Sequence, residues 1–187
     1  MARPRIGNER REEILAAFEA CVVRKGLAST TLTDVAEAAG QPRPLVRYFI
    51  GNRADMVSAL IDRLLERGEA QFRELPGPGS AGQVLDIVLD RIFADETTNI
   101  VIMELWHLSL RDKALRDRLA AIYRRVIFEV SAMLGDDADP DAAFAAVSLA
   151  FGAAFFRHLG LVPQRAESIR ATAQGLLRPD QTLPAGA

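Results

Sequence analysis

The sequence predicts an all-α protein in two parts, and three observations carry that. Apolar residues recur at three- and four-residue spacing along most of the chain, and no segment keeps the alternation of a half-buried strand. Glycines, prolines and capping residues cut this periodicity into about nine helices. The stretch PGPGSAG, Pro76–Gly82, is the clearest linker and separates the first four helices from the rest.

The first helix runs from about Asn8 to Lys25, with Ile14, Leu15, Phe18 and Val22 on one face and Cys21 on its inner side. Gly26, just past the basic pair Arg24-Lys25, stops it. Thr31 stands three residues before Asp34, a capping-box start for a short helix to Ala39 that turns Val35, Ala36 and Ala39 inward. The prolines of QPRPLVRYF then suit a rigid helix start, because first-turn N–H groups have no intrahelical partner to lose. With Gln41 near the cap, Pro42 and Pro44 both fall in that first turn. Arg43 and Arg47 are i and i+4, stacked on one face, while Leu45, Val46 and Phe49 point inward.

Asn52 caps a fourth helix, with Asp55 three residues on and a stripe of Met56, Leu60 and Leu64. Beyond the linker lie helices near Val84–Asp95, Thr98–Leu110 and Asp112–Leu134. The last carries Leu115, Leu119, Ile122, Val126, Val130 and Met133 in register, and GDDADP breaks it. Thr98–Leu110 is apolar nearly all round, interrupted after Asn99 only by Glu104, His107 and Ser109, and is expected to be central. Helices at about Asp141–Leu159 and Pro163–Leu177 and a polar tail complete the chain.

Composition bounds the function. The 187 residues are 49% hydrophobic and 26% charged, with a net charge of −2, an ordinary globular balance. The distribution is uneven: residues 1–53 carry +3 and the remainder −5, which suggests a polyanionic partner for the head alone. A single cysteine excludes an intrachain disulfide and a thiolate cluster and fits a reducing cytoplasm. The basic N-terminus lacks the apolar core of a secretory signal. The longest apolar run, Ala142–Phe156, has 15 residues, too short to span a bilayer. Neither HExxH nor GxSxG occurs, GPGSAG lacks the lysine of a phosphate loop, and His107 and His158 are the only histidines. No catalytic residue, metal or cofactor is therefore expected.

The stretch GLASTTLTDVAEAAGQPRPLVRYFIGNRADMV, Gly26–Val57, resembles the helix-turn-helix signature of the TetR family of transcriptional regulators without a gap. The positions that match are Gly26, Thr30-Thr31, Val35-Ala36, Ala39-Gly40, Gly51, Arg53 (where lysine is usual) and Met56. Gln41-Pro42 replaces the family's Val-Ser, and Phe49-Ile50 its His-Phe. The family's histidine often contacts a phosphate, and Tyr48 is the candidate to replace it here. Glu104–Arg125 is similar, more weakly, to the BetI-like branch. The resemblance implies a three-helix DNA-binding domain over residues 8–68, a helical ligand-binding and dimerisation domain over 69–178, and a flexible tail at 179–187.

Sites follow from that plan. Arg43 and Arg47 are the candidates for base edges, because a guanidinium fork matches guanine O6 and N7, with Gln41 and Pro42 at the groove end of the helix. Thr30, Thr31, Tyr48 and Arg53 suit phosphate contacts, and Arg3 and Arg5 an arm reaching a minor groove or backbone. On charge alone the same arginines would equally suit a solvated surface. Phe93, Met103, Trp106, His107, Tyr123 and Phe155 are candidates for an apolar ligand pocket. Simple core packing is the alternative for each, and His107 with Glu104 would also make a buried pair. Val147, Ala150, Phe151, Ala154, Ile169 and Leu176 are the candidate dimer contacts.

The expectation is a cytoplasmic homodimeric repressor that binds a palindromic double-stranded DNA operator and releases it when a small-molecule effector occupies the body. The alternatives are a small-molecule binding protein that has lost operator affinity, which Phe49-Ile50 suggests, and an enzyme using the body cavity, which the missing nucleophile–base set disfavours.

Overall fold

The computed structural model describes the backbone of residues 3–74, 79–135, 141–161 and 171. Among these are eight α-helices: α1 Arg3–Lys25, α2 Leu32–Ala38, α3 Arg43–Ile50, α4 Arg53–Arg73, α5 Ala81–Ile87, α6 Glu96–Ser109, α7 Lys113–Leu134 and α8 Ala142–His158. A wider π-type turn, Val88–Ile92, continues α5. The expected helix over Pro163–Leu177 and the tail at 179–187 lie outside the described residues.

The chain divides into two compact units. One comprises residues 1–67 with 100–113, the other 68–99 with 114–187. Ile100–Lys113, which the linear order assigned to the body, thus clusters with the head. Val101 and Leu105 of this segment are fully buried, and Glu104 reaches a backbone amide of the α1–α2 turn.

In the first unit the predicted stripes form the core: Ile14, Leu15, Phe18, Cys21 and Val22 of α1, Leu27, Val35, Val46, Met56 and Leu60 are all buried. Helix α1 begins at Arg3, five residues before the expected start. The capping box at Thr31 and Asp34 is present. For α3 the expectation needs correction. Pro42 itself is the cap residue, extended at φ −60° and ψ 135°, and only Pro44 lies inside the first turn. Between α3 and α4, Gly51 sits at φ +73°, and a Cβ there would come within 2.3 Å of the Asp55 carboxylate, so the turn admits only glycine.

Ion pairing joins α1 to α4. Arg63 Nε donates to Glu19 Oε2 at 3.2 Å, Arg67 pairs with the same oxygen, and Arg63 also pairs with Glu12. Glu19 is almost wholly buried, and those guanidinium groups are its partners there.

In the second unit Val84, Leu85, Val88, Phe93, Val130 and Met133 pack with Ala143, Ala146, Val147, Ala150 and Ala154 of α8. Small residues let α8 lie close to its neighbours. Phe151 stands edge-on to both Phe93 and Tyr123, with centroids 6.1 Å apart in each case.

Candidate nucleic-acid interface

Helix α3 has two faces with different chemistry. Val46 and Ile50 are buried in the head core, whereas Arg43, Pro44, Arg47 and Tyr48 are exposed. Tyr48 is 81% exposed, which is unusual for an aromatic ring, and it packs edge-on against the half-buried Phe49 at 5.2 Å. Two arginines one turn apart beside an exposed phenol make a surface able to donate to phosphates and base edges. Pro42 is exposed at the start of this helix and Gln41 is half-buried, its N–H donating to Ala36 C=O at 2.9 Å.

The supporting loop is held more tightly than the sequence indicated. Thr31 N–H and Thr31 Oγ1 donate to Asp34 Oδ2 at 2.7 and 2.6 Å, and Lys25 Nζ reaches Asp34 Oδ1 at 2.6 Å. The Lys25 ammonium and then the Thr31 hydroxyl and amide hold the Asp34 carboxyl well below the usual carboxylate range.

Three expected phosphate contacts are engaged within the head itself. Thr30 is only 1% exposed, and its hydroxyl donates to Gly26 C=O at 2.8 Å. Burial takes it off the surface. Thr31 is exposed, but its hydroxyl is engaged in the capping box. Arg53 donates from Nη1 to Thr30 C=O at 3.0 Å and from Nη2 to Leu27 C=O at 2.7 Å. Its guanidinium clamps the loop to the start of α4. Arg3 and Arg5 belong to the first turns of α1, so their backbone is helical and not an extended arm.

The six candidate pocket residues are not all in one unit. Phe93, Tyr123 and Phe155 belong to the second, Met103, Trp106 and His107 to the first. Tyr123 packs with Phe151, which in turn meets Phe93, whereas Phe155 is exposed. On α6 only Val101, Leu105 and Ser109 are buried; Trp106 is 47% exposed and His107 is exposed as well. The expectation of a wholly central helix is corrected accordingly, as is that of a buried His107–Glu104 pair. Glu104 instead accepts Leu27 N–H. Within the second unit a depression of about 490 Å³ is lined by Glu74, Asp86, Ile87, Asp90 and Arg91, none of which was a pocket candidate.

The dimer candidates on α8 differ in their surroundings from the other residues of that helix. Val147, Ala150 and Ala154 are buried against their own chain, and Phe151 is half-buried in the aromatic cluster. Exposed instead are Phe144, Ser148, Phe155 and Phe156 of α8 and Leu159 just after it. Ile169 and Leu176 lie outside the described residues.

Cys21 is buried, and burial pushes its thiol up from its ordinary value, in keeping with a core residue. Among the described residues there is no cluster of metal-ligating side chains and no helix long and apolar enough to cross a membrane. Sequence reasoning missed Lys25, Glu19, Arg63 and Glu104 as parts of the frame behind α3. Only Glu104 gave a signal, as a lone acid in an apolar helix.

The fold resembles that of TetR-family regulators. A TetR transcription regulator from Haloarcula marismortui superposes with a TM-score of 0.76 at 19% identity, over 91% of this chain and 97% of that one. The multidrug binding protein EbrR, complexed with imidazole, gives 0.68 at 25% identity over 93% of each chain. In sequence, the probable HTH-type transcriptional regulator ArpR of Pseudomonas putida is 32% identical over 105 residues. That match covers 53% of this chain and 50% of ArpR, so the chain spans about half the length of that relative. No protein-family model matches. The likeness of Glu104–Arg125 to the BetI-like branch remains one of sequence alone.

Proposed function

We propose that this chain, all-α and TetR-like in fold, is a cytoplasmic DNA-binding transcription regulator that works as a homodimer and reads double-stranded DNA with α3. The observation that carries the reading is the exposed face of α3. Arg43, Arg47 and Tyr48 stand in water on a helix that buries Val46 and Ile50 on its opposite face. The resemblance to ArpR, named as an HTH-type transcriptional regulator, supports the same reading.

Homodimerisation rests on the apolar stripe of α8. Phe144, Phe155, Phe156 and Leu159 are all more than two-fifths exposed, a costly surface for a monomer to keep in water. A pair of heads on a two-fold axis would meet successive major grooves roughly 34–36 Å apart, hence a palindromic operator. Small-molecule release, and with it a repressor role, draws support from EbrR, whose structures hold imidazole and ethidium.

The test is selection of duplexes from a random pool by the full chain, followed by binding of the selected duplex. Arg43→Ala and Arg47→Ala should each weaken the selected duplex by about 1–3 kcal/mol relative to random DNA. Equal losses on selected and random duplexes would remove α3 from the role of reader.

A further inference from the structure

The turn between α1 and α2 is gripped by two residues remote from it in sequence. Leu27 N–H donates to Glu104 Oε2 on α6 at 2.6 Å, across 77 positions. Leu27 C=O accepts from Arg53 Nη2 on α4 at 2.7 Å, and the Leu27 side chain is buried. Gly26 precedes it at φ +83°, and a Cβ at this position would stand 3.4 Å from the same Glu104 oxygen. That is ordinary contact distance, and it is the positive φ that disfavours a side chain at this position.

The grip continues toward the reading helix. Gly26 C=O accepts the Thr30 hydroxyl and Thr30 C=O accepts Arg53 Nη1. Thr31 then caps α2, which packs on α3. From Gly26 to Thr31, the loop's geometry is thus set by α6 at one point and by α4 at two.

We infer that Glu104 is a positioning residue for DNA binding: its carboxylate fixes the Gly26–Thr31 loop, and through it the placement of α2 and α3 on a duplex. The inference rests on the reading of α3 as the DNA-contacting helix. It adds a consequence that reading lacks. A ligand or substitution that draws α6 away from Leu27 loosens the head without touching α3, because an amide held by a charged acceptor loses its strongest restraint. By reciprocity, bound DNA favours the state in which Glu104 is seated.

The experiment uses the full chain labelled with 15N and the duplex selected by the wild type from a random pool. In Glu104→Ala the Leu27 amide proton should move upfield and exchange faster, and the duplex should bind about 10- to 100-fold more weakly, the range for losing one hydrogen bond to a charged group. Helix content should be unchanged. Glu104→Gln keeps a carbonyl acceptor of the same length and should restore most of the affinity and the Leu27 signal. A Glu104→Ala protein whose Leu27 amide shifts while its duplex affinity stays within about twofold of wild type, far short of that loss, overturns the inference and leaves the DNA-binding reading standing. If Glu104→Ala does not fold, Glu104→Gln decides: retained amide and retained affinity support the role, retained amide with lost affinity refutes it. Failure of the wild type to select any duplex would instead refute the reading of α3 itself.

Discussion

Replacing Arg53 by alanine separates two roles that the sequence could not tell apart. Its guanidinium donates to Thr30 C=O at 3.0 Å and to Leu27 C=O at 2.7 Å, so the substitution removes two charge-assisted hydrogen bonds. Each such bond contributes roughly 1.5–3 kcal/mol where it is shielded. Arg53 is itself exposed, and water partly replaces what is lost, so about 2 kcal/mol for the pair is the expected cost. For a unit of this size that is a fall in Tm of about 10 °C. The assay is thermal or urea unfolding of the DNA-free protein, followed by circular dichroism, with Arg53→Lys alongside. Lysine offers one ammonium in place of a planar fork and should recover about half of the loss. An unchanged midpoint in DNA-free protein, with a uniform loss of DNA affinity and a salt slope shallower by about one, would refute the clamp and restore the phosphate contact.

Other perturbations test the frame and the interfaces. Glu19→Ala strips the shared acceptor from Arg63 and Arg67 and should destabilise the head by about 3 kcal/mol, the scale for breaking a buried ion pair, measured by urea unfolding. Asp34 has its pKa lowered on folding by Lys25 and Thr31, so its contribution is complete above its unfolded value of about 4 and is lost as pH falls below it. An acid titration of stability should therefore lose part of its slope in Asp34→Asn, and identical acid limbs in the two proteins would contradict the assignment. On α8 two substitutions should diverge. Phe144→Glu should yield a folded monomer in sedimentation, whereas Ala150→Glu should unfold the second unit by placing a carboxylate in its core. A folded, monomeric Ala150→Glu protein would return the interface to the alanine face.

Much of the head was legible because its determinants are local. The stop at Gly26, the Thr31–Asp34 capping box and the Pro44 helix start depend on residues within one turn of one another. The exposed stacking of Arg43 and Arg47 follows from the 3.6-residue period once Val46 and Ile50 are known to face inward. What could not be read in the sequence has a different cause. Thr30 looks like a surface hydroxyl, but the fold buries it and turns its hydroxyl to Gly26 C=O. The apolar character of α6 and α8 showed that they bury surface, not which side does so. On α8 the side rich in alanine was read as the interface, because small residues permit close approach by any neighbour, its own chain or another.

The sequence by itself therefore determined the all-α class, the helix punctuation in the head and the basic face of α3, all set by interactions a few residues long. Only the tertiary structure decided that Arg53 clamps a loop, that Glu104 meets Leu27 across 77 positions, and that the phenylalanines of α8, not its alanines, face water. The physical reason is that a hydrogen bond between distant residues has no sequence period. It exists because the core of the first unit, assembled from many weak apolar contacts, brings a carboxylate and an amide to the same place.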